Sequence, residues 1–185
     1  MSRHFAATTS KTSGDFVSFL MKCSENFTWG NFKFNQGVKY MQLLNCVMLD
    51  WDPAPVGEEM DNHHYTISST SEVEELLSKR VETNPDEFWV TYLTPSGGVH
   101  AFLMSHKLTP LEASPMMLEL KCDKLYVELS AQRNKFGVRI SPKVGRKGDY
   151  VASYWKTFGS GNILPEHEEV MRIHDSYILG AKYFN

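Results

Sequence analysis

The feature that most restricts how this chain can fold is a run of apolar residues closing on two acids. Residues 40–52 read Tyr-Met-Gln-Leu-Leu-Asn-Cys-Val-Met-Leu-Asp-Trp-Asp. The run falls short of the ~18 apolar residues a membrane helix needs. An almost unbroken apolar strand is buried on both faces, so other elements must cover it. Residues two apart on a strand share a face, so Asp50 and Asp52 point together and Trp51 points away. Two close carboxylates repel each other, and a divalent cation relieves the repulsion. Oxygen donors of this kind suit Mg²⁺ or Mn²⁺, which commonly bridge to substrate phosphates. The spacing alone equally suits two acids that end a strand and open a Pro-rich loop over residues 52–64, punctuated by Pro53, Pro55 and Gly57.

The rest of the chain supplies partners for that strand. Residues 15–23 have the apolar spacing of a short helix, with Phe16, Phe19, Leu20 and Cys23 on one face. Residues 29–37 read as strand and turn. Ser71-Glu-Val-Glu74 is a capping-box pattern, predicting a helix over 71–81. Residues 88–93 and 99–104 are strand-like and flank a turn, Thr94-Pro-Ser-Gly-Gly98, so 88–104 is a predicted hairpin. Ser114-Pro115 opens a predicted helix. Asp123 caps another over 124–132. Residues 136–140 form a strand, and 165–178 a last helix with glutamates at its start. No element is assigned between 140 and 165. The expected fold is α+β, a mixed and partly antiparallel sheet with flanking helices.

The chain has 185 residues and 42% hydrophobic content, which fits one domain with a substantial core. Residues 1–14 read as a flexible N-terminus without an apolar signal-peptide core, and 15–185 as a single domain. The three cysteines, Cys23, Cys46 and Cys122, form no CxxC pair, which argues against a disulfide framework or a thiolate zinc site. The expected location is therefore intracellular, cytoplasmic or nucleoid, with no membrane contact. Net charge is −3, but the charge is segregated. Residues 50–61 carry five acids and no base, whereas 133–147 carry Arg133, Lys135, Arg139, Lys143, Arg146 and Lys147 and no acid. The first segment suits cations and the second suits phosphates.

Two further patterns carry chemistry. In Ser96-Gly97-Gly98-Val99-His100 the glycines let a ligand approach the backbone, the serine can bond a phosphate oxygen, and the histidine opens the returning strand beside the turn. In Arg139-Ile-Ser141-Pro-Lys143 the three polar residues alternate, so one strand face would present a guanidinium fork, a hydroxyl and a point charge. An ordinary hairpin turn and a charged edge strand account for each pattern separately.

The order of the motifs resembles the catalytic core of the archaeo-eukaryotic primase superfamily, which includes the primase-polymerases. The resemblance covers residues 41–146 and implies a primase-polymerase, RRM-like core. It implies that Asp50 and Asp52 are catalytic metal ligands for Mg²⁺ or Mn²⁺, with a third acid from Glu128 or Asp123, Glu128 fitting better by its distance from Arg139. It implies that Ser96, Gly97, Gly98, His100, Arg139, Ser141 and Lys143 hold a nucleoside triphosphate. Arg133, Lys135, Arg146 and Lys147 would then meet a DNA or RNA template. A helicase or large primase subunit is the implied partner. The histidine motif is one residue longer than the shorter SxH form, and no zinc-binding insertion is evident. A non-catalytic nucleic-acid-binding module of the same fold, or another Mg²⁺-dependent phosphoryl-transfer enzyme, are the alternatives. A haloacid-dehalogenase-like phosphatase ranks lower, because that class carries a small hydroxyl residue where this chain has Ala54.

Overall fold

A computed structural model describes residues 27–31, 39–53, 67–140 and 152–178. Seven strands and four helices lie among these residues: β1 (Phe27–Asn31), β2 (Lys39–Leu43), β3 (Cys46–Trp51), α1 (Thr70–Thr83), β4 (Phe88–Leu93), β5 (Val99–Lys107), α2 (Pro110–Glu119), α3 (Lys124–Arg133), β6 (Phe136–Arg139), β7 (Ser153–Gly159) and α4 (Pro165–Tyr177). The fold is α+β. The strands form two antiparallel sheets, ordered β1-β2-β6 and β3-β5-β4-β7. The one parallel contact among the described residues is an isolated bridge between Pro53 and Ile67.

The apolar run of residues 40–51 is two strands, not one. The backbone bends at Leu44 and Asn45. β2 then pairs with β6 and β3 with β5, so the bend hands the chain from one sheet to the other. The Asn45 carbonyl at the bend accepts the Leu108 N–H at 3.0 Å, which anchors the corner to the end of β5. The apolar run implied a central strand, whereas β3 is terminal in its sheet. Its burial comes from elsewhere: Asp123 N–H donates to the Asp50 carbonyl at 3.0 Å, so the outer edge of β3 is occupied.

The four-stranded sheet separates two layers. On one face Trp51 is fully buried and its Nε1–H donates to the Leu120 carbonyl at 2.8 Å, just past the end of α2. The other face carries Phe102 and Tyr92, whose rings stand 5.1 Å from the His174 ring of α4. Trp89, Tyr92, Phe102, Phe136, Met48 and Leu103 are among the largest fully buried side chains. Each such burial is worth about 1.5–3 kcal/mol. In the smaller sheet Met41, Leu43, Phe136 and Val138 are buried, while Tyr40, Gln42, Gly137 and Arg139 alternate with them and are half-buried.

Three local expectations shift. α1 has Ser69, not Ser71, as its N-cap, and the Ser69 side chain makes no capping bond; instead Glu72 reaches back to Ser68 N–H and Oγ at 3.0 and 3.1 Å, and Lys121 lies 2.7 Å from its other oxygen. These contacts hold the Glu72 carboxyl below its usual range, the Lys121 hydrogen bond foremost. α2 starts at Pro110, not at Ser114-Pro115. Thr109 accepts Glu112 N–H while the Glu112 carboxylate accepts Thr109 N–H and hydroxyl, and Pro115 lies inside the helix. A reciprocal box with Pro at the first position outcompetes a later Ser-Pro. β7 fills the stretch left unassigned; its Tyr-Trp-Lys-Thr-Phe run is aromatic and β-branched, as a strand requires. The expected helix at 15–23, the loop at 54–64 and the tail of the basic segment lie outside the described residues. Among the described residues no helix is long and apolar enough to cross a membrane.

Candidate functional site

Asp50 and His100 are directly opposite each other on β3 and β5. Opposed residues of an antiparallel pair share a face. The His100 Nε2 lies 3.4 Å from Asp50 Oδ1, with His100 nearly buried and Asp50 27% exposed. The imidazole is thus held by the sheet with one edge toward the carboxylate, while the carboxylate still reaches solvent.

One step toward the strand end, Asp52 meets the hairpin turn. Thr94 N–H donates to the Gly98 carbonyl at 2.9 Å and Gly97 N–H to the Thr94 carbonyl at 3.0 Å, closing the loop. The Thr94 hydroxyl accepts Gly98 N–H at 3.0 Å and sits 3.0 Å from Ser96 Oγ. Ser96 donates onward to Asp52 Oδ1 at 3.4 Å. Both glycines are dictated by geometry. Gly97 has φ of +85°, the left-handed region that L side chains avoid. A Cβ on Gly98 would fall 2.3 Å from the Trp51 carbonyl oxygen and 2.9 Å from Asp52 Oδ1. The hairpin motif and the acid motif therefore meet through bare backbone.

Behind Asp50 lies a tether that the sequence did not reveal. Besides the Asp123 N–H bond to its carbonyl, Asp50 N–H donates to Cys122 Sγ at 3.3 Å, and Cys122 Sγ lies 3.5 Å from the Asp50 carbonyl as donor. Burial pushes the Cys122 thiol far up, so it stays protonated and can act both ways. Burial also raises Cys46, to about 12. Asp123 caps α3 by accepting Tyr126 N–H at 2.6 Å. The cap was legible in the sequence; its contact with Asp50, through the backbone of a residue distant in sequence, was not.

The third acid is where the structure and the distance argument diverge. Glu128 lies on the exposed side of α3, 4.0 Å from Lys124 Nζ. Asp123, the other candidate, is the acid bonded to the Asp50 backbone. Among the described residues no three His, Cys, Asp or Glu side chains are gathered closely enough to hold a metal ion. Asp50, Asp52 and Glu128 thus do not form a ready three-carboxylate cage. One or two carboxylates can hold Mg²⁺ where water and substrate phosphates complete the shell, and Asp50 and Asp52 are of the donor type that mode uses.

Of the basic residues, Arg139 ends β6 opposite Tyr40 on the smaller sheet, and β6 also lies against β3. Lys135 is half-buried, its Nζ 3.4 Å from Gln42 Oε1, and Arg133 is exposed in the last turn of α3. Ser141, Lys143, Arg146 and Lys147 lie outside the described residues. Comparison of the chain with protein-family models, curated proteins and solved structures found no match.

Proposed function

We propose that this chain is the catalytic core of a template-dependent nucleotidyltransferase of the primase-polymerase kind, with the RRM-like sheet that such cores use. One observation carries the reading: two motifs far apart in sequence meet at one strand end, with Asp50 opposite His100 and Asp52 bonded by Ser96. Carboxylates able to hold a divalent ion beside hydroxyl and imidazole donors suit a site where a phosphoryl group is moved. Mg²⁺ or Mn²⁺, when bound, would activate a 3′-hydroxyl and neutralise the departing pyrophosphate. Asp50 and Asp52 would hold the ion, with water and the substrate phosphates completing its shell. His100 and Ser96 donate to the triphosphate. Gly97 and Gly98 let the phosphates reach the backbone, and Arg139 supplies the fork. Arg133 and Lys135 meet the template.

Primer extension with Mn²⁺ tests this. Asp50→Ala and Asp52→Ala should each reduce incorporation by about 10²–10³-fold while thermal melts stay near wild type. Full activity in both variants would exclude catalysis by this pair. Template binding without incorporation by the wild type would instead support the non-catalytic module.

A further inference from the structure

His174 and Asp175 are adjacent in sequence, and the proposed reaction uses neither. Both are almost fully buried on α4, at 2% and 1% exposure. Tyr92 Oη donates to Asp175 Oδ1 at 2.8 Å and lies 3.0 Å from Oδ2. His174 Nδ1 is 2.9 Å from Asp175 Oδ1. The Tyr92 ring is caged by the edges of three others: His174 at 5.1 Å, Phe102 at 5.9 Å and Tyr154 at 6.3 Å. A buried carboxylate is an expensive anchor, because apolar side chains filling the same space stabilise a fold as well or better. What the carboxylate adds is direction. Two oxygens receiving one phenol fix the plane and tilt of its ring.

The strand register shows what that direction serves. Tyr92 is directly opposite His100, and His100 directly opposite Asp50. The three side chains form one row on one face, with neighbouring Cβ atoms about 4.5–5.5 Å apart. His100 is therefore flanked in register by a carboxylate on one side and by Tyr92 on the other, and the hydroxyl end of the Tyr92 ring is fixed by α4.

We propose that Asp175 is a positioning residue for His100, acting through Tyr92. It sets the ring that neighbours the imidazole on the same sheet face, and so the direction in which His100 presents its nitrogens to an anionic ligand. The identity of that ligand, a nucleotide triphosphate, rests on the proposed function; the positioning itself does not. Tyr92→Phe removes the hydroxyl and keeps the ring. Asp175→Asn keeps the shape and removes the charge. The imidazole resonances of His100, assigned with His100→Gln, should shift in both variants. With dATP and Mn²⁺, the KM for dATP should rise about tenfold while template affinity is unchanged. If the wild type incorporates nothing and the His100 resonances still shift, positioning stands and the nucleotidyltransferase reading falls. If the resonances and KM stay at wild-type values in folded Tyr92→Phe while its melting temperature drops, Asp175 merely anchors a helix and the proposal is overturned. Should Asp175→Asn fail to fold, Tyr92→Phe decides alone, since the ring still fills the cage.

Discussion

Replacing Gly98 by alanine adds one methyl group where the structure has none to spare. The new Cβ would lie 2.3 Å from the Trp51 carbonyl oxygen, 2.9 Å from Asp52 Oδ1 and 3.2 Å from Thr94 Oγ1. An ordinary carbon–oxygen contact is well over 3 Å, so β3 and the turn must separate by about an ångström. Overpacking of this kind typically costs about 1–3 kcal/mol, and the upper end applies because the nearest atom is backbone. For a chain of this length about 3 kcal/mol lowers the melting temperature by roughly 6–12 °C. Two other glycines calibrate the result. Gly97→Ala meets its closest neighbour, Pro53 Cγ, at a comfortable 3.8 Å, but must keep φ near +85°, a strain of about 1–2 kcal/mol. Gly137→Ala meets nothing within 4 Å and has ordinary φ, so it should be neutral or stabilise by about 0.5 kcal/mol. Urea melts of the three variants give the ranking, and primer extension shows whether moving Asp52 also removes activity. Equal stability of Gly98→Ala and Gly137→Ala would refute the claim that the acid strand and the hairpin meet through bare backbone.

His167 is fully buried, and among the described residues neither ring nitrogen makes a well-formed hydrogen bond, the Met104 and Leu103 backbone being its polar neighbours. Burial pulls its pKa down. The unfolded chain then takes up the proton first, so this contribution to stability is complete above about pH 6.5 and is lost as pH falls through the folded value. His167→Leu should flatten stability against pH over that window, and an unchanged slope would show that another group titrates. Trp51→Phe leaves the Leu120 carbonyl without its indole donor and should cost about 1–3 kcal/mol in urea melts, with a loss under 0.5 kcal/mol telling against that bond. Arg139→Ala should raise the KM for nucleotide without rescue by lysine, which lacks the fork. Arg133→Ala and Lys135→Ala should instead weaken template binding and reduce its salt dependence by about one unit of slope each. If all three weaken template binding alike and none alters the KM, they form one backbone-binding patch.

The sequence by itself determined the local parts. Aromatic and β-branched residues marked β4, and the strand-like runs on the far side of the turn and after α3 marked β5 and β6. Thr94 to Gly98 marked the turn because proline and paired glycines favour the backbone conformations a tight turn needs. Asp123 marked the start of α3 because an acid caps free N–H groups. Asp50 and Asp52 were placed on one face by strand geometry alone. Tertiary structure decided what those parts meet. A continuous apolar run over 40–51 cannot say that it bends at Asn45, because the bend is set by β6 and β5 competing for its edges. Spacing pointed to Glu128 as the third acid, whereas chain crossing brought Asp123 to the Asp50 backbone. Nothing in the order of residues relates Asp175 to Tyr92, since their bond joins a helix to a strand through the core. Local conformation follows from short-range sterics and hydrogen bonding, which a sequence records. Convergence of distant side chains follows from how sheets and helices bury one another, which is a property of the whole chain.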